Sequence, residues 1–107
     1  MTTYRMTLEA LNKQAEELRS EIKEQRKIVE TYEDEEDTAH RLVLYCEKMY
    51  KDHGEDFGAD LDKAYADYSD ASDNRRIADD LLDDLKDALE AINEAREAIS
   101  KLIVIGL

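Results

Sequence analysis

Apart from carboxylates, groups able to do chemistry are sparse in this chain: two histidines, His40 and His53, a single cysteine, Cys46, and 28 Asp and Glu residues to choose among. Asp37 and His40 stand three apart, the spacing of the carboxylate-x-x-histidine motif with which di-metal helical bundles hold their ions. Such a site needs the motif on two helices, and residues 54–107 contain no histidine. Asp52, Gly54 and Asp56 begin like a calcium loop, yet Phe57 stands where that loop requires its turn glycine. No glycine-rich phosphate loop is present, and no Ser, His and Asp combine around a plausible pocket. Catalytic, cofactor-binding and metal-binding residues are therefore not expected, and the chain is not expected to be an enzyme.

The elements that would have to position any functional side chain are far better specified. From Tyr4 the apolar residues recur at alternating steps of four and three: Tyr4, Leu8, Leu11, Ala15, Leu18, Ile22, Gln25, Val29, Tyr32, Glu36, Ala39, Val43, Cys46, Tyr50, His53. Only Gln25, Glu36 and His53 break the apolar character. A period of 3.5 residues held this long predicts a coiled-coil helix, because an isolated surface helix drifts away from it. The pattern resumes as Leu61, Ala64, Tyr68, Ala71, Arg75, Ala78, Leu82, Leu85, Leu89, Ile92, Arg96, Ile99 and Ile103. Between them, residues 52–60 hold two of the three glycines, with Gly54 suited to end a helix and Asp56 or Asp60 to cap the next. Thr2 or Thr3 is suited to cap the first.

The fold class expected is all-α: a long antiparallel two-helix coiled-coil hairpin filling residues 1–107 as one domain, with helix one over 3–53, a loop over 54–60 and helix two over 61–104. The register that centres on this loop pairs positions whose numbers add to 114, giving layers such as Ile22 with Ile92. It also lets Glu36 and Arg75 reach each other diagonally. A pair of that kind adds little net stability but penalises slipped registers. Residues 69–74, rich in Ser, Asp and Asn, compete with helical hydrogen bonds, and a break there would give a three-helix bundle instead. Cys46 falls on the seam and reads as a small buried hydrophobe, which suits a reducing, cytoplasmic setting.

Charge narrows the partners. Of 107 residues, 28 are acidic and 15 basic, a net of -13, which disfavours direct contact with nucleic acid or an anionic membrane. The acids of the first 27 residues are interleaved with cations, but two later clusters are not: Glu30, Glu33, Asp34, Glu35, Glu36 and Asp37, then Asp79, Asp80, Asp83, Asp84 and Asp87, the latter countered only by Lys86. In the expected register residues 30–37 face 77–84, so the clusters meet in one belt whose charge density is comparable to that of duplex DNA.

Apolar side chains also widen the seam: Ile28, Leu42 and Met49 on helix one, and Tyr65, Leu81, Ala88, Ala95 and Leu102 on helix two, running on into residues 102–107. Self-association through Leu42, Met49, Leu81 and Leu102, a homodimer forming a four-helix bundle, would cover them. In length and hairpin layout the chain resembles the secreted WXG100-type proteins, although its loop offers His53, Gly54, Glu55, Asp56, Phe57 and Gly58 in place of their central Trp-x-Gly. In acidity and small helical size it resembles phage-encoded nucleic-acid mimics, including some anti-CRISPR and anti-restriction proteins, a group without a shared motif. These resemblances imply a protein that acts by protein–protein contact: an acidic inhibitor of a basic, nucleic-acid-binding partner, or else a structural adaptor or secretion partner whose acidic faces are only solvating.

Overall fold

The computed structural model describes residues 2–106, with the side chains of residues 3–106. It is all-helical: α1 (Thr2–His53), a 3-10 turn (Gly54–Phe57) and α2 (Gly58–Val104). Nothing in residues 1–53 is Gly or Pro, so α1 runs unbroken through its acidic cluster until Gly54. That glycine adopts φ 67°, the left-handed conformation that stops a helix and that a Cβ would strain. Lys51 places a cation in the last turn, where the helix's free carbonyls favour it. Beyond α2, Gly106 repeats the device at φ 83°, its N–H donating to the Ile103 carbonyl at 3.1 Å. Thr3 lies inside α1; the capping expected of the Thr2 side chain, like Leu107 of the apolar C-terminal run, falls outside the described residues.

α2 begins three residues earlier than the expected loop allows. Asp56 lies in the 3-10 turn and Asp60 inside the first turn of α2, so neither occupies the capping position. Residues 69–74 are helical throughout, which removes the three-helix alternative. Their weak propensity is overridden because Ala71 within the stretch and Tyr68 and Arg75 on either side of it are shielded by packing, and packing of a face stabilises a helix more than propensity does.

The chain divides into two compact units, each drawing on both helices: Met1–Arg26 with Leu81–Leu107, and Lys27–Asp80. In the first, Ala15, Ile22, Gln25 and Leu82 are buried, and Arg96 Nε donates to Asn12 Oδ1 at 2.7 Å. In the second, Val43, Cys46 and Ala64 form a buried cluster with Leu61 and Tyr68 packed against it, and Val29 and Ala78 are buried as well. Every seam position of α2 is buried or half-buried, and the same holds in α1 from Tyr4 to Cys46; Tyr50 and His53 are exposed.

The pairing differs from expectation by one heptad. A register adding to 114 sets Ala64 opposite Tyr50 and Arg96 opposite Leu18. Instead Ala64 packs with Val43 and Cys46, and Arg96 reaches Asn12, so in both units the α1 partner lies about seven residues nearer the N-terminus. The layer of Ile22 with Ile92 moves with it. A seven-residue slip returns a and d positions to a and d positions, so the hydrophobic pattern does not distinguish the two registers. The helical start at Gly58 moves the centre of the connection toward the N-terminus, the same direction as the slip, though by less than a heptad.

Candidate functional site

Within Lys27–Asp80, Arg75 anchors a half-buried polar network. Its Nε donates to Glu36 Oε2 at 2.8 Å and its Nη1 to Asp79 Oδ2 at 2.6 Å. The Arg75 hydrogen bond holds the Glu36 carboxyl below the usual carboxylate range, outweighing burial, which pushes it up; a hydrogen bond with Ser72 adds to the lowering. The bonds to Glu36 and Asp79 in turn raise Arg75 above its ordinary value. The sequence pointed to Glu36 as the partner of Arg75 and to Asp79 only as a member of the acidic belt, although the i, i+4 spacing from Arg75 was there to be read. Asn12 with Arg96 was missed too, because the expected register set them a heptad apart.

The remaining clustered carboxylates stand in solvent. Glu30, Glu33, Asp34, Glu35 and Asp37 on α1, and Asp80, Asp83, Asp84 and Asp87 on α2, are exposed, whereas Asp79 is half-buried in its ion pair. The alignment from which the belt was drawn, residues 30–37 level with 77–84, is not the one seen within Lys27–Asp80. Within Lys27–Asp80 the observed register sets residues 30–37 level with 70–77, which include Arg75 and Arg76, and Arg76 is itself 3.3 Å from Asp73. In the other unit Asp83, Asp84 and Asp87 stand level with residues 20–24, which include Lys23. Each cluster therefore has cations across from it where the expected register put the other cluster. The same unit carries a mixed-charge groove in which Arg19, Lys23 and Arg26 share a lining with Glu90, Glu94 and Glu97.

The four residues expected to drive self-association are distributed between the units: Leu42, exposed, and Met49, half-buried, in Lys27–Asp80; Leu81, exposed, and Leu102, half-buried, in the other. Tyr65 lies on the expected apolar flank, but burial raises its phenol and a hydrogen bond with Glu47 raises it further, so its oxygen has a carboxylate neighbour. His40 packs against Tyr68, ring centroids 5.3 Å apart, and His53 against Phe57 at 5.7 Å. Both histidines thus pack against aromatic rings at a tilt. Asp37 faces solvent, and among the described residues no three metal-ligating side chains converge. Cys46 is a free thiol, 5% exposed, inside the apolar cluster. No helix among the described residues is long and apolar enough to cross a membrane.

Compared with known protein families, with curated proteins and with solved structures, the chain has no significant match.

Proposed function

We propose that the chain is a long antiparallel two-helix coiled-coil hairpin that acts without catalysis, by binding another protein, and that its carboxylate clusters engage the basic surface of a nucleic-acid-binding partner. The shielded heptad seam on both helices, the four-residue turn between them and the cross-helix pairs Glu36 with Arg75 and Asn12 with Arg96 support the hairpin. One observation carries the binding reading: nine of the eleven clustered carboxylates, all but Glu36 and Asp79, are exposed, and among the described residues none of those nine belongs to an ion pair. Like charges three and four apart oppose the helix that carries them. A surface that keeps them without interleaved cations suits a partner that supplies the cations. Arg75, Lys23 and their neighbours, level with the clusters, favour a second reading, a structural adaptor whose acids only solvate it.

The test is competition. The chain is immobilised and exposed to nuclease-treated lysate, the retained proteins are identified by mass spectrometry, and they are challenged with duplex DNA and with salt. The binding reading expects nucleic-acid-binding proteins that DNA displaces and that leave steeply as ionic strength rises. Substituting Asp80, Asp83, Asp84 and Asp87 by Asn should release them, while Glu16, Glu17 and Glu21 to Gln, three acids interleaved with cations, should not. Asp79 is left in place because it is committed to Arg75. Retained proteins that neither bind nucleic acid nor respond to salt would leave the adaptor reading in possession.

A further inference from the structure

Two open grooves lie on one side of the Lys27–Asp80 unit and share Leu42 and Asp67 in their linings, so they form one continuous furrow. Its apolar surface comes from Ala39, Leu42, Tyr45 and Phe57, with the buried Cys46 and Ala64 beneath. Leu42 is 47% and Tyr45 58% exposed, so large apolar side chains lie open to water along it. Its polar edges are one-sided: Asp34, Glu35, Asp60 and Asp67 against Lys63. An apolar floor between acidic edges is the complement of one kind of ligand, an amphipathic helix with an apolar stripe flanked by Lys and Arg.

We propose that this furrow is the docking site for a basic amphipathic helix of a partner protein. The proposal rests on the reading that the partner is basic, and it adds the place and the secondary structure of the contact. From Thr31 to Cys46 the α1 side of the furrow covers about four helical turns, roughly 22 Å at about 1.5 Å per residue, which matches a docked helix of about fifteen residues. Charge decides against a second copy as occupant. Each chain carries -13, and the furrow's edges would meet a surface of their own sign. A basic helix meets the opposite sign and brings the apolar stripe that Leu42 and Tyr45 lack.

The experiment uses the full chain and a synthetic eighteen-residue peptide with Leu at helical i, i+3, i+4, i+7 spacing and Lys elsewhere. Controls are a scrambled peptide of the same composition and a version with Glu for Lys. Binding is followed by fluorescence anisotropy. The expected result is at least tenfold tighter binding of the patterned peptide than of the scrambled one, no binding of the Glu version, and a tenfold or greater loss on Leu42→Lys or Tyr45→Ser. Both side chains are exposed, so neither change empties the core, and circular dichroism of each variant checks that it remains helical. Equal binding of patterned and scrambled peptides would overturn the proposal, as would groove variants that bind like the parent. So would a concentration-dependent dimer that Leu42→Lys dissolves, because the second copy would then hold the furrow. The Asn variant at Asp80, Asp83, Asp84 and Asp87 separates the two readings: if partner capture fails there but survives Leu42→Lys, the carboxylate reading stands and the furrow falls, and the reverse pattern leaves the furrow standing alone.

Discussion

Glu36 is a charged residue on a hydrophobic seam, and what keeps it there is Arg75 at 2.8 Å. Because that contact depresses its pKa, the stabilisation it brings is present above the unfolded-state value of a glutamate and is lost as pH falls through the depressed one. Acid also discharges the exposed carboxylates and relieves their repulsion, an effect of opposite sign, so the whole-protein profile mixes the two. The difference between the parent and Glu36→Gln isolates the first: urea midpoints measured from neutral to acidic pH should converge as Glu36 takes up its proton. A gap that stays constant across that range would mean the ionised pair is not what Glu36 contributes. Ile22 sets the scale for the apolar seam. It is 6% exposed, and truncation to Ala should cost about 2–5 kcal/mol in urea unfolding, by loss of burial and the cavity left behind. A loss under about 1 kcal/mol would mean that the site collapses around the gap or that the seam there is loosely packed.

At the scale of elements, the two glycines of the connection make opposite predictions. Gly54 needs its positive φ but has open space where a Cβ would point, so Gly54→Ala should destabilise by about 1–2 kcal/mol through backbone strain alone. Gly58 has φ -62° within helix, and its Cβ would meet the Tyr50 ring at 3.7 Å, an ordinary contact. Gly58→Ala should therefore stabilise by about 0.4–1 kcal/mol, mainly by reducing the freedom of the unfolded chain. Thermal or urea unfolding of the two variants tests both signs. The helices themselves were legible in the sequence because heptads fix which residues are shielded, and the shielded set runs as read from Tyr4 to Cys46 and from Leu61 to Ile103. The register was not, because Ala64 fits against Tyr50 or Val43 equally well by pattern, and a slip of one heptad leaves every seam position on the seam. The acidic belt was inferred from that register, so the alignment of residues 30–37 with 77–80 moves with it. Thiol cross-linking checks the outcome directly: in a Cys46→Ala background, cysteines at Asn12 and Arg96 should be joined by a short bismaleimide, and cysteines at Leu18 and Arg96 should not.

For the whole molecule the net charge of -13 is the dominant electrostatic fact, and its distribution matters more than its size. Residues 1–53 hold 13 acids and 9 bases, and residues 54–107 hold 15 and 6, so the second half carries -9 of the total. Repulsion on that scale opposes the compact state and is screened by salt, with a Debye length of about 10 Å at 0.1 M. The unfolding midpoint should therefore rise as sodium chloride is raised from about 10 mM to about 0.5 M. The size of the rise locates the repulsion. If Asp80, Asp83, Asp84 and Asp87 are its main source, their Asn variant should start at a higher midpoint in low salt and gain little from added salt, whereas Glu16, Glu17 and Glu21 to Gln should leave the salt response as it was, since Lys13, Arg19 and Lys23 already interleave with those acids. A parent whose midpoint ignores salt would show that the cations level with the clusters have already neutralised them. The carboxylates would then carry no energetic penalty for a partner to relieve, and the case for a basic partner would rest on the furrow alone.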